Sequence, residues 1–81
     1  MSDIPKEWLH KQVSVTDVEK DIQNSEPLVA RWNSLKAGLE PGDEVWSFMS
    51  PADTWKHLAG RAGYAIVRDG NPVDGMITML N

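Results

Sequence analysis

The sequence predicts an α+β fold in which N-terminal helices pack on a small three-stranded, mainly antiparallel sheet. Three observations support this prediction. Apolar residues recur at helical spacing in the middle of the chain, and an aromatic run at strand spacing follows them. An Asp-Gly pair near the C-terminus then marks a β-hairpin. A short helix is predicted between the first and second strands.

The segment 1–14 is predicted to be an N-terminal arm or a short helix that opens at Pro5. Terminal segments fray unless they dock on the core. Docking is favoured here because it would remove Trp8 and Leu9 from water. An undocked Trp8-Leu9 pair would instead suit a partner-binding anchor. The remainder, 15–81, is predicted to form one compact domain.

Two helices are predicted in the first half of the chain. Thr16 and Glu19 have the spacing of a capping box at the start of a short helix. Ser25 is expected to cap the second helix, whose apolar stripe at a helical period is Leu28, Trp32, Leu35 and Leu39. Gly38 is expected to end this helix in a left-handed conformation.

The second half is predicted to hold the sheet. The run 44–49 is the first strand, and Ser50 is expected to cap a short helix that ends at Gly60. Its inward residues should be Trp55, Leu58 and Ala59. The second strand spans 64–68, a turn follows at Asp69-Gly70, and the third strand spans 73–80.

Composition excludes several classes of protein. The 81 residues contain no cysteine, so neither a disulfide framework nor a thiolate metal site is possible. The first residues lack the apolar core of a signal peptide, and no apolar stretch approaches the ~20 residues that span a bilayer. We therefore expect a cytoplasmic protein that does not enter a membrane.

The charge is unevenly distributed. The formal net charge is −4, which makes nucleic acid an unexpected partner because phosphate neutralisation dominates that kind of binding. One stretch, 54–68, has cations and no acid. Its candidate anion- or metabolite-binding residues are Lys56, His57, Arg61 and Arg68. The simpler interpretation is a helix end that carries compensating cations.

The sequence does not favour an enzyme. Asp53 and His57 are spaced i, i+4, so the carboxylate could orient the imidazole as a general base. No nucleophile motif accompanies them, and a first-turn acid with last-turn cations is ordinary helix electrostatics. With only two histidines and no thiol, we predict no catalytic residues, no metal and no cofactor.

Two local patterns resemble known families. The segment 58–66 contains Gly60-Arg61-Ala62-Gly63 and resembles the nucleotide-clamping loop of KH domains, which implies single-stranded RNA binding as a remote alternative. The block G-D-E-x-W-x-F-x-S-P-x-x-x-W-x-x-L-A-G-R-x-G-Y-x-x-x-R-D-G resembles short, uncharacterised bacterial proteins of about this length. That resemblance implies a free-standing bacterial domain and no particular activity.

The sequence therefore favours a non-enzymatic module that binds a protein partner or a second copy of itself. The third predicted strand is apolar on both faces, so it suits a sheet edge that pairs with another chain. The candidate partner-binding residues are Trp8, Leu9, Met76 and Met79. Small-anion binding at the four cationic residues named above is the alternative function.

Overall fold

The computed structural model describes residues 4–81 as an α+β fold with three helices and a four-stranded antiparallel sheet. The sheet order is β1-β2-β3-β4, so every strand pairs with its neighbour in sequence. The elements are β1 (Leu9–Val13), α1 (Val15–Ile22), α2 (Glu26–Lys36), β2 (Glu44–Met49), α3 (Ala52–Lys56), β3 (Arg61–Arg68) and β4 (Asn71–Leu80).

The sheet has one strand more than predicted. A 3₁₀ turn at Lys6–Trp8 leads into β1, which pairs with β2 where an arm or short helix was expected. Its central residues are exposed and a register shift follows Leu9, so β1 lacks the apolar alternation that marks most strands. Residues 1–3, the start of the predicted arm, lie outside the described residues.

The helix starts follow the predicted chemistry, with one shift. In α1 the capping residue is Ser14, not Thr16: its hydroxyl accepts the Asp17 N–H, and the Asp17 carboxylate accepts the Ser14 N–H, both at 3.0 Å. In α2 the expected cap is confirmed, since the Ser25 hydroxyl accepts the Leu28 N–H at 3.4 Å.

The end of α2 differs from the prediction. Among the described glycines only Gly42 and Gly70 have left-handed backbones, with φ of +90° and +80°, so Gly38 does not supply the stop. The helix ends through short-range bonds, in which the Gly38 N–H donates to Leu35 O at 3.1 Å. The reversal of direction comes later, in the turn closed by Asp43 N–H on Glu40 O.

The main core lies between the two long helices and one face of the sheet. It contains Val18, Ile22, Trp32 and Leu35 from the helices, and Val45, Ile66 and Met76 from the strands. The predicted Trp32 stripe therefore does cover the sheet. Glu19, which was expected to cap α1, instead accepts the Trp32 Nε1–H at 3.0 Å and binds Lys36 at 2.8 Å.

The opposite face of the sheet is covered by the N-terminal segment. The Trp8 ring stacks on Phe48 with centroids 6.5 Å apart and planes at 23°. Ile4 lies against Gly75 on β4, which has no side chain in the way. Trp8 thus docks on its own domain, the outcome that the sequence favoured.

The last two strands form the predicted hairpin. Asp69 and Gly70 both have positive φ, +53° and +80°, as a two-residue type I′ turn requires. The strand before the turn, β3, begins at Arg61 rather than at residue 64, and β4 begins at Asn71. Pro72 is tolerated because β4 is an edge strand.

Candidate functional site

The described residues include four exposed large apolar side chains, Met49, Leu58, Met79 and Leu80, which are 55%, 77%, 58% and 70% exposed. Met49, Met79 and Leu80 lie at one end of the sheet, where β2 ends, β3 begins and β4 ends, and Leu58 lies in the connection between α3 and β3. We call these four residues, together with Trp55, the apolar end.

Strand pairing brings this surface together. Met49 pairs with Ala62 on β3, and Ala62 pairs with Met79 on β4, so the two methionines flank one buried alanine. By strand alternation from Val45, they lie on the sheet face that the helices cover further along. Leu80 pairs with Arg61 and therefore points to the other face.

The side chain of Ser50 fixes the position of α3 beside this surface. It was expected to cap the helix, but Pro51 occupies the cap position and has no capping side chain. The buried Ser50 hydroxyl instead lies 2.7 Å from Thr54 Oγ1 and accepts the Arg61 N–H at 2.9 Å. The helix is thereby tied to the first residue of β3.

Trp55 packs against the connection between α3 and β3. Its Nε1–H donates to Ser50 O at 3.1 Å, and its ring lies directly against Gly60, where no β-carbon would fit. Gly60 is therefore required for packing, not for a left-handed helix end. The helix ends at Lys56, and the expectation that Leu58 and Ala59 point inward is wrong, because both are exposed and Leu58 has φ of +58°.

A hollow of about 410 Å³ opens between α3 and the ends of the strands. Its lining is almost wholly apolar and consists of Met49, Ser50, Ala52, Trp55 and Met79. The Asn81 side-chain amide donates to Trp55 O, and the Asn81 N–H donates to Gly60 O at 3.1 Å. The C-terminus therefore holds β4 beside the α3–β3 turn and keeps Met79 and Leu80 in place.

The four predicted anion-binding residues do not form one cluster. Arg61 and Arg68 are the first and last residues of β3, about 23 Å apart at 3.3 Å per residue. Lys56 and His57 lie at the end of α3, the helix that the Ser50 hydroxyl ties to Arg61. The prediction placed the start of β3 three residues too late, which hid this separation.

Arg68 serves a structural purpose at the far end. Its guanidinium donates from Nε and Nη2 to the two carboxylate oxygens of Asp43, each at 2.8 Å, and lies 3.2 Å from Glu40. The bonds from Arg68, with the Glu40 N–H, lower the pKa of Asp43 to about 2. The bonds to Asp43 also raise the pKa of Arg68. This bidentate pair holds the turn before β2 against β3.

The predicted base and orienter do not meet. His57 Nδ1 lies 2.7 Å from the backbone oxygen of Asp53, not from its carboxylate. A carbonyl oxygen can only accept, so Nδ1 carries the proton in this contact. Within residues 4–81, no group of three or more His, Asp or Glu side chains is placed to hold a metal ion.

The predicted partner-binding residues lie in three different environments. Met79 is exposed at the apolar end, whereas Met76 is 6% exposed and belongs to the core, so it is not part of the surface. Trp8 is half-buried on Phe48, and Leu9 is half-buried at the start of β1. Both methionines point to the helix-covered face, because the register shift between Ala62 and Gly63 compensates for their odd spacing. They differ because Met79 pairs with Ala62 near the end of the sheet, whereas Met76 packs in the core.

Gly60 and Gly63 do not form a nucleotide-clamping loop. Gly63 is buried within β3 and pairs with Phe48 on one side and Ile77 on the other. Only Gly60 precedes the strand. The glycines are separated by the first two residues of a central strand, whereas the KH pattern joins two helices through an exposed loop.

Met49, Leu58 and Leu80 were not predicted to be surface residues. Met49 was predicted only as the last residue of the first strand, and Leu58 as an inward residue of a helix ending at Gly60. A usable signal was present, because Pro51 has no N–H for a strand ladder and so marks Met49 as lying close to the strand end. Nothing comparable marked Leu58, whose exposure depends on its left-handed backbone.

Comparison with known proteins gives no relative for this chain: no family model, curated protein or solved structure matches it. The resemblance of the block 42–70 to short bacterial proteins therefore stays a prediction. Along the described part of the chain, no helix is long and apolar enough to cross a bilayer.

Proposed function

We propose that this chain is an interaction module that acts by binding a protein partner at the apolar end rather than by catalysis. The observation that supports the proposal is the apolar hollow that the exposed Met49 and Met79 form with Trp55 at one end of the sheet. Scattered apolar residues are normal on a protein surface, but contiguous apolar patches mark interaction sites.

The chemistry of the surface suits a partner. Burying apolar area stabilises a complex by about 25 cal/mol per Å², so covering two methionines and two leucines is a substantial driving force. Methionine side chains are flexible and polarisable, which lets them fit irregular shapes. Trp55 lines the hollow between them and is held by its bond to Ser50 O, so it supplies a rigid apolar wall.

The two edges of the sheet differ in polarity, and the apolar one borders the apolar end. At the β1 edge the central residues His10, Lys11 and Gln12 are exposed and polar. At the β4 edge the last residues are apolar, and no described strand pairs with the outer side of β4. Charged residues protect an edge from other chains, whereas an apolar edge invites pairing. β4 is therefore the edge that a partner would use.

Capture from a bacterial lysate, with three baits compared by quantitative mass spectrometry, tests the proposal. The baits are the wild-type protein, Met79→Lys and the matched control Gln12→Lys, which adds the same charge at the opposite edge. We expect one stoichiometric partner with the wild type and the control, and its loss with Met79→Lys. A partner that all three baits retain equally would place binding elsewhere and refute the proposal.

A further inference from the structure

We infer that the partner of the apolar end is an extended segment of another protein, both apolar and acidic, which adds beside the last residues of β4. This inference rests on the proposed function and specifies the chemistry of its partner. The apolar end alone does not select a partner of either charge. The three cations around it, Arg31, Lys56 and Arg61, favour an acidic partner.

Cations surround the apolar end although the chain as a whole is acidic. Arg61 pairs with Leu80 across the strands, Lys56 ends α3, and Arg31 lines a hollow along β4 with Ile77, Thr78, Met79 and Leu80. All three cations are exposed. Within residues 4–81, none of the three lies within 4 Å of a carboxylate, whereas Lys36 and Arg68 are both ion-paired.

These cations lie on both sides of the free edge. Arg31 comes from α2 and flanks β4 on the helix-covered face, whereas Arg61 lies on the other face because its neighbour Ala62 points to the first. A strand added beside β4 would alternate its side chains between these two faces. Acidic residues on either face would then meet a cation, and apolar residues would meet Met79 or Leu80.

The first half of β4 is closed to such a strand. Pro72 has no N–H to donate. The Gly75 N–H donates to the Asp74 carboxylate at 2.8 Å, so this backbone donor is already used. The charge of Asp74 also repels an acidic segment. Pairing is therefore confined to the residues after Gly75, which is the part of the edge beside Arg31 and Arg61.

The overall charge does not prevent this association. The formal net charge is −4, but the Debye length at physiological salt is about 8 Å, so more distant surface charges are largely screened. Three of the acids, Glu19, Glu40 and Asp43, are ion-paired with Lys36 and Arg68, whereas Arg31, Lys56 and Arg61 have no such partner within residues 4–81. These three cations therefore remain available to an acidic segment, against Asp53 on α3 and Asp74 on β4.

Selection from a library of random peptides displayed on phage tests the inference on the full chain. We expect the wild-type protein to enrich peptides that combine apolar residues with Asp and Glu. Binding should fall at least tenfold in Met79→Lys and in the double variant Arg31→Glu/Arg61→Glu. It should be unchanged in Lys11→Glu/Lys20→Glu, which alters the net charge equally at exposed cations elsewhere.

The possible failures can be told apart. Peptides that need Met79 but are neutral or basic, and that bind the Arg31/Arg61 variant normally, would overturn the inference and leave the proposed function standing. Peptides that bind Met79→Lys as well as wild type, or no enriched peptide, would refute both. A dimer that is seen by light scattering and abolished by Met79→Lys would assign the apolar end to a second copy of the chain. Binding to anionic phosphatidylglycerol vesicles would assign it to lipid. Either result would overturn the inference.

Discussion

Gly63 offers the sharpest test of the fold, because an added methyl group should destabilise the protein if Gly63 lies in a buried strand but not if it lies in an exposed loop. In Gly63→Ala the new carbon would lie 3.0 Å from Ile77 Cα and from the Met76 carbonyl carbon, and closer still to the Met76 oxygen. Non-bonded carbons need about 3.5–4.0 Å. β3 and β4 must therefore separate at Gly63, beside the register shift of this strand pair.

The expected cost follows from that geometry. Overpacking against backbone costs about 1–3 kcal/mol or more, and replacing a strand glycine by alanine returns about 0.5–1 kcal/mol of conformational entropy. We expect a net loss of about 1–2 kcal/mol, which for a domain of this size lowers Tm by about 4–16 °C. Total stability at this length is about 4–12 kcal/mol, so the variant should still fold.

Gly38→Ala is the matched control. Gly38 is exposed, has no left-handed backbone, and its added carbon would meet only Leu35 O at the ordinary distance of 3.5 Å. We expect it to be neutral or to stabilise the protein by up to about 1 kcal/mol. Urea and thermal unfolding of both variants measure the difference. Equal stability of Gly63→Ala and Gly38→Ala would show that Gly63 is not a central strand residue.

Three further results are expected. Asp43→Asn should destabilise the protein at neutral pH, and its deficit in urea midpoint should shrink between about pH 4 and about pH 2, because the folded pKa of Asp43 is about 2 against an ordinary 3.8 and its contribution is lost as it protonates. Arg68→Met should weaken the same pH dependence without abolishing it, because the Glu40 N–H still donates to Asp43. Burial first, and then the 2.8 Å bond to Asp21, raise the pKa of Tyr64 to about 12, so tyrosinate absorbance of this single tyrosine should appear near pH 12. Any stability that the neutral phenol contributes should be lost from about pH 10 upward, and Asp21→Asn should reverse only the smaller part of the pKa shift. Trp32→Ala should cost about 3–5 kcal/mol in urea unfolding, and Trp46→Ala less than half of that, because Trp32 is buried and Trp46 is half-exposed.

The parts of the fold that the sequence predicted well are those with a strong local signal. The stripe through Trp32 has a helical period, and Asp69-Gly70 favours a type I′ turn whatever surrounds it. β1 was missed because its polar central residues are typical of an edge, and its place in the sheet depends on pairing with a strand that lies 31 residues further along. Such a partner is not visible in a local pattern.

The candidate site was less predictable for the same reason. Met79 was named, but Met49 and Leu80 join it only through the register across β3, and that register contains a shift after Ala62. The four predicted anion-binding residues do not come together, because β3 extends to Arg61 and places Arg68 at the other end of the strand. Arg61 and Arg68 are close in sequence, which suggested that they are close in space, but an extended strand separates residues by about 3.3 Å for each position.

The methionines provide the most direct test of the apolar end. Of the four in the chain, Met49 and Met79 lie on this surface, Met76 is buried in the core, and Met1 lies outside the described residues. The protein should be labelled with methyl-¹³C methionine, assigned by substitution, and titrated with the partner or peptide that the wild type retains. We expect the Met49 and Met79 methyl signals to shift together while Met76 stays in place. Binding that leaves both Met49 and Met79 unchanged would contradict the proposed function.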